Sequence, residues 1–78
     1  MREYYVSFAS AAEVYEFVTI ATKQFFPIHV ERENLRTDAK SIMCLFSMGL
    51  NRPLRVVISD AEADTSHFLS AVRPYLVA

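Results

Sequence analysis

Two hydrophobic periods meet near the start of the chain with almost nothing between them, and this junction limits the fold more than any other feature. From Glu3 to Phe8 the pattern alternates, with Tyr4, Val6 and Phe8 on one side and Glu3, Tyr5 and Ser7 on the other, the period of a half-buried strand. Ser10-Ala11-Ala12-Glu13 then has the serine, two spacers and glutamate of a capping box, in which each end satisfies a backbone N–H of the other's turn. From Ala11 a helix is predicted, with Val14, Phe17, Val18, Ala21 and Phe25 in an apolar stripe and Glu13, Glu16, Lys23 and Gln24 off it. The connection of about two residues is at the short end of the usual range, so strand and helix are immediate neighbours.

The rest of the chain repeats this alternation of periods. Pro27 ends the helical option, and Ile28-His29-Val30-Glu31-Arg32 alternates as a second strand. Glu33-Asn34 is polar, and asparagine tolerates the left-handed conformation of a tight turn, so Leu35 to Ala39 is predicted to return antiparallel. This third strand is weak by propensity and reads as a sheet edge, with Arg36 and Asp38 discouraging stray pairing. Ser41 then caps a short, greasy helix that runs to about Met48 and stops near Gly49. Asn51-Arg52-Pro53 is a turn, and Leu54 to Ser59, the most β-branched segment, is a central fourth strand. Asp64 or Thr65 caps a last helix with Phe68, Leu69, Val72 and Leu76 on its apolar face, and Pro74 kinks or loosens its final turn. Strands with one apolar face and helices with one apolar stripe predict an α+β, two-layer open-faced sandwich, strand-helix-strand-strand-helix-strand-helix.

Composition narrows the function classes. With 78 residues the chain reads as one domain, 1–78, with a marginal core. Its 53% hydrophobic content exceeds what such a core can take, which predicts an apolar contact patch or a dimer interface. Net charge is −1 and the basic residues are scattered, so there is no stripe for nucleic acid. Cys44, the one cysteine, can form no internal disulfide and no zinc site with two distant histidines; no cofactor or metal is predicted. A free thiol suits a reducing cytosol, and the sequence shows no signal core or membrane-spanning run, so a cytoplasmic location is expected.

With these elements in order, the chain resembles HPr, the histidine-containing phosphocarrier of bacterial sugar phosphotransferase systems. Lys40-Ser41-Ile42-Met43 through Met48-Gly49-Leu50 looks like that family's regulatory segment, and the likeness extends onward through Val56-Val57-Ile58-Ser59 and back through the hairpin. The resemblance implies a four-stranded antiparallel sheet of order 1-4-2-3 with three helices on one face. It departs at the phosphorylation site. The family's active histidine is preceded by glycine and leucine and followed by alanine, arginine and proline; here the region is Phe8-Ala9-Ser10-Ala11-Ala12-Glu13. The histidine position falls on Ser10, the arginine position on Ala12 and the proline position on Glu13. Reversible transfer needs the labile P–N bond of a phosphoimidazole, whereas a serine hydroxyl gives a stable ester. Helix N–H groups and an arginine hold the phosphoryl dianion, and Glu13 repels it.

The remaining candidates lie in the middle of the chain. Ser41 reads as an N-cap and, by resemblance, as the serine phosphorylated by a dedicated HPr-type kinase, with Lys40 beside it. Lys40, Ile42, Met43 and Phe46 fall on the surface with which the family meets its kinase and a repressor-type transcription factor. Helical spacing allows Met43 or Leu45 to turn inward as core, and Ile42 and Phe46 are expected outward ahead of Met43. His29, on the open sheet face with Tyr5 and Val57, suggests a dimer surface rather than a metal ligand. His67 is expected in solvent, and Cys44 as a buried or half-buried inert thiol. The sequence thus points to a regulatory or interaction module of carbon metabolism rather than an enzyme, like the catabolite-repression paralogue that lacks the histidine. Two alternatives stand beside it: a phosphotransferase-system phosphocarrier using a non-standard residue, and a small self-associating protein without regulatory phosphorylation.

Overall fold

The structure is a computed structural model and describes residues 2–77. Its elements are β1 (Arg2–Val6), α1 (Ala11–Thr22), β2 (His29–Arg32), β3 (Leu35–Asp38), α2 (Ile42–Ser47), β4 (Leu54–Ile58) and α3 (Ser66–Val72). β4 lies between β1 and β2, so the antiparallel sheet runs β1-β4-β2-β3, and the three α-helices complete an α+β fold. Burial of Val56 and Val57 on opposite faces explains why this strand is so rich in β-branched residues.

The helix-side row of the sheet is Tyr4, Val56, Val30 and Thr37 in register. Phe8, Val14, Phe17, Leu45, Phe68 and Val72 close the core above it. Four aromatic rings link the helices: Phe8 to Phe17 at 5.1 Å, Phe17 to Phe68 at 6.1 Å and Phe26 to Phe68 at 6.3 Å between centroids. Phe25 does not belong to this set. α1 stops at Thr22, short of another turn, and the chain swings Phe25 fully into solvent and Phe26 into the core.

One turn differs from the sequence reading, and two features at α3 fill it in. Glu33, not Asn34, takes the positive φ of 56° in the hairpin, because position one of this turn carries the left-handed residue. Thr65 precedes α3 but turns its hydroxyl inward, where it accepts from Arg2 Nη1 at 3.0 Å; the Ser66 N–H donates instead to Asp64 Oδ1 at 3.1 Å. Pro74 falls in a 3-10 turn, Arg73–Tyr75, that buries Tyr75 and sends the chain back along β1. There Ser7 N–H donates to the Tyr75 carbonyl at 2.9 Å, Val77 N–H donates to the Tyr5 carbonyl at 2.9 Å, and Leu76 bridges to Val6.

The open face is an ion network. Arg55 donates through Nε to Glu31 Oε1 at 3.1 Å, through Nη2 to the same oxygen, and through Nη1 to Glu3 Oε1 at 3.2 Å. Arg36 Nε lies 3.5 Å from Glu31, and its Nη2 donates to His29 Nδ1 at 3.2 Å. Hydrogen bonding to Arg55 holds the Glu31 carboxyl below the usual range against the opposing cost of desolvation. Val57 pairs with His29 and is buried, while Tyr5 stands in the neighbouring row opposite Arg55. Of the three residues, Tyr5 is about half exposed, His29 is half-buried and Val57 is covered.

Candidate functional site

The start of α1 comes first, because Ser10 holds the position that resemblance makes chemical. Its backbone is extended (φ −152°), and its Oγ accepts from the Glu13 N–H at 3.4 Å, as an N-cap does. The reciprocal half of the box is shifted: Glu13 Oε1 accepts from the Ala9 N–H at 3.0 Å rather than from Ser10. A carboxylate therefore lies at the positive end of the helix, where it is stabilised by the helix dipole. Ala11 and Ala12 are exposed and add no polar group.

The second cluster is α2 and the turn leading into it. Lys40 N–H donates to Asp38 Oδ1 at 2.8 Å and Ser41 N–H to the Asp38 carbonyl at 3.0 Å, a tight turn that leaves the Lys40 side chain exposed. Ser41 occupies the N-cap position, and Leu45 N–H donates to its carbonyl at 3.1 Å, but its side chain makes no capping bond. Hydrogen bonds from Ser41, and then from Thr37, draw the Cys44 thiol below its ordinary pKa, because they stabilise the thiolate. The thiol is exposed, not buried, since the six-residue helix turns Leu45 inward and leaves position 44 to one side.

Exposure along α2 differs from the order read in the sequence. Met43 is 79% exposed and Phe46 41%, whereas Ile42 is half-buried against the core. Leu45 and Met48 take the inward positions. Lys40, Met43 and Phe46 are thus the members of the predicted interface that reach solvent, with Ser41 half-buried among them. Gly49 ends the segment at φ +99°, a conformation that L side chains rarely adopt.

The two clusters are tied together. Asn51 N–H donates to the Phe8 carbonyl at 2.7 Å, joining the loop after α2 to the loop before α1. Between β3 and α2 runs a groove of about 130 Å³ lined by Leu35, Arg36, Thr37, Cys44, Ser47 and Met48. Cys44 beside two hydroxyls was the feature least visible in the sequence. Its one signal was the three-residue spacing from Ser41, which a single helical turn brings onto one side.

His29 accepts from Arg36, and His67 is exposed on α3. Among the described residues, no group of three or more His, Cys, Asp or Glu is placed to hold a metal ion, and no helix is long and apolar enough to cross a membrane. No family model and no curated protein matches the sequence. Among solved structures, the crystal structure of HPr-C-His from Thermoanaerobacter tengcongensis is similar over 95% of this chain and 89% of that one, at 26% identity and a TM-score of 0.71. The chain has an HPr-like fold.

Proposed function

We propose that this chain, one domain from 1 to 78, is an HPr-like regulatory or interaction protein that has given up phosphate transfer on α1 and acts through Ser41 and the solvent-facing side of α2. The observation that carries this reading is the Glu13 carboxylate on the Ala9 N–H. A phosphoryl group on residue 10 needs the free N–H groups and positive field of that helix start. Here a carboxylate belonging to the protein sits beside that helix start on the Ala9 N–H, Ser10 Oγ takes the Glu13 N–H, and no arginine stands at position 12 to offset the negative charge. Ser10 itself offers an oxygen whose phosphoester does not pass its phosphate on.

Support for a role at α2 is of a different kind. The Ser41 hydroxyl carries no capping bond, so a phosphate there would cost the helix little, and Lys40 is free to pair with it. Met43 and Phe46 expose apolar area beside it, the arrangement of a contact that a charge can switch. The partners this implies are an HPr-type serine kinase, components of the phosphotransferase system and a repressor-type transcription factor, in the cytoplasm.

The test has two arms. Incubation with enzyme I and labelled phosphoenolpyruvate is expected to leave no acid-labile label on the protein. Incubation with ATP and an HPr-type kinase is expected to add one phosphate, located at Ser41 by mass spectrometry and lost in Ser41→Ala. Acid-labile label in the first arm would favour a phosphocarrier with a non-standard residue and overturn the proposal.

A further inference from the structure

The sheet has two edges, and the chain treats them differently. Along β1 the returning segment Tyr75–Val77 takes up backbone groups of Tyr5 and Ser7. Along β3 no strand covers the outer side: among the described residues β2 is the one strand it pairs with, and of the outward groups the Asp38 carbonyl accepts from the Ser41 N–H. The register fixes which groups face out. Ala39 N–H donates to the Ile28 carbonyl, and hydrogen-bonded pairs alternate along an antiparallel ladder, so Thr37 and Leu35 also point their backbone groups at β2. Arg36 and Asp38 therefore present theirs to the open edge, and the Ser41 N–H bonded to the Asp38 carbonyl marks that direction.

We propose that the chain pairs with a second copy of itself edge to edge along β3, two-fold about Thr37, with each Arg36 opposite Asp38 of the other copy. Only residues whose backbone groups face outward can form the hydrogen-bonded pairs of such a ladder. That leaves Arg36 opposite Arg36, Asp38 opposite Asp38, or Arg36 opposite Asp38. The first two set like charges face to face across the strands, and the third sets opposite charges face to face twice. In that register each Arg36 N–H donates to the Asp38 carbonyl of the second copy and each Asp38 N–H to its Arg36 carbonyl. The Asp38 carbonyl keeps its bond to Ser41, because a carbonyl oxygen has two lone pairs. Leu35, 54% exposed at the mouth of the groove between β3 and α2, comes opposite Ala39 and is covered. The charges that discourage pairing in general thus select one pairing in particular, and it is an isologous one that closes on itself.

The experiment is a charge-swap cycle on the full chain, read by sedimentation velocity over a concentration series. The mass is expected to rise from the monomer's 8.9 kDa toward twice that value. Arg36→Asp alone and Asp38→Arg alone are expected to hold the monomer across the series, and the double swap to restore association. Circular dichroism and melting temperature check that each variant is folded. In a Cys44→Ser background, Thr37→Cys is expected to oxidise to a disulfide-linked dimer, since facing non-hydrogen-bonded residues lie about 4.5 Å apart at Cα. Arg36→Cys is expected to crosslink at least tenfold more slowly. A monomer at every concentration, a dimer indifferent to both single reversals, or equal crosslinking at positions 36 and 37 would each overturn the proposal.

Discussion

Cys44 shows how one residue's chemistry is set by neighbours three and seven positions away. The hydroxyls of Ser41 and Thr37 stabilise its thiolate, and exposure lets reagents in. At pH 7.5 the native protein is expected to react with iodoacetamide faster than an unfolded control, and Ser41→Ala to slow the reaction, because less of the sulfur is then thiolate. Mass spectrometry of the alkylated fraction over time measures both. A rate unchanged by Ser41→Ala would show that the hydroxyl does not act on the sulfur. Apolar spacing alone did not foretell this arrangement, because a six-residue helix is too short for its stripe to fix which side faces in.

At the scale of elements, the caps separate what the sequence made legible from what it left hidden. Both Ser10 and Ser41 have the pattern of an N-cap, but only Ser10 makes the bond. Ser10→Ala is therefore expected to cost about 1 kcal/mol in urea denaturation, within the usual range for a lost cap, and Ser41→Ala less than about 0.5 kcal/mol. Equal losses would contradict the difference in geometry. Strand positions and helix starts could be read because alternation, β-branching and capping residues are local signals, whereas the strand order came from the resemblance alone. The end of α2 near Gly49 was legible too, but that of α1 was not: it stops at Thr22, and Phe26 rather than Phe25 packs on Phe68. Of the candidate site, position and residue types were legible; the outward turn of Met43 and the half-burial of Ile42 were decided by Leu45 and Met48 filling the core.

For the molecule as a whole, two expectations follow from how core and surface are divided. Phe26→Ala is expected to lose about 3–5 kcal/mol, a large part of the total for a chain this size, while Phe25→Ser next to it stays within about 0.5 kcal/mol. Chemical denaturation of the pair checks the register of the α1–β2 connection. The pH dependence rests on carboxylates titrating lower in the folded state than unfolded. Glu31 is held down by Arg55 and Asp64 by Ser66, so their contribution is complete above ordinary carboxylate values and is lost as pH falls through the folded ones. The melting temperature is expected to drop on acidification below about pH 4.5, and Glu31→Gln to lower the plateau and flatten that descent. A descent of the same steepness in the variant would place the acid sensitivity elsewhere.

The strip of chain from Tyr75 to Val77 has a consequence for growth. An object with one open edge can find one partner and then has none to offer, so its assembly terminates. With the strip cut away before Leu76, each copy would carry two open edges, and every pairing would leave a fresh one at either end. Those few residues would then be the difference between a particle and a filament.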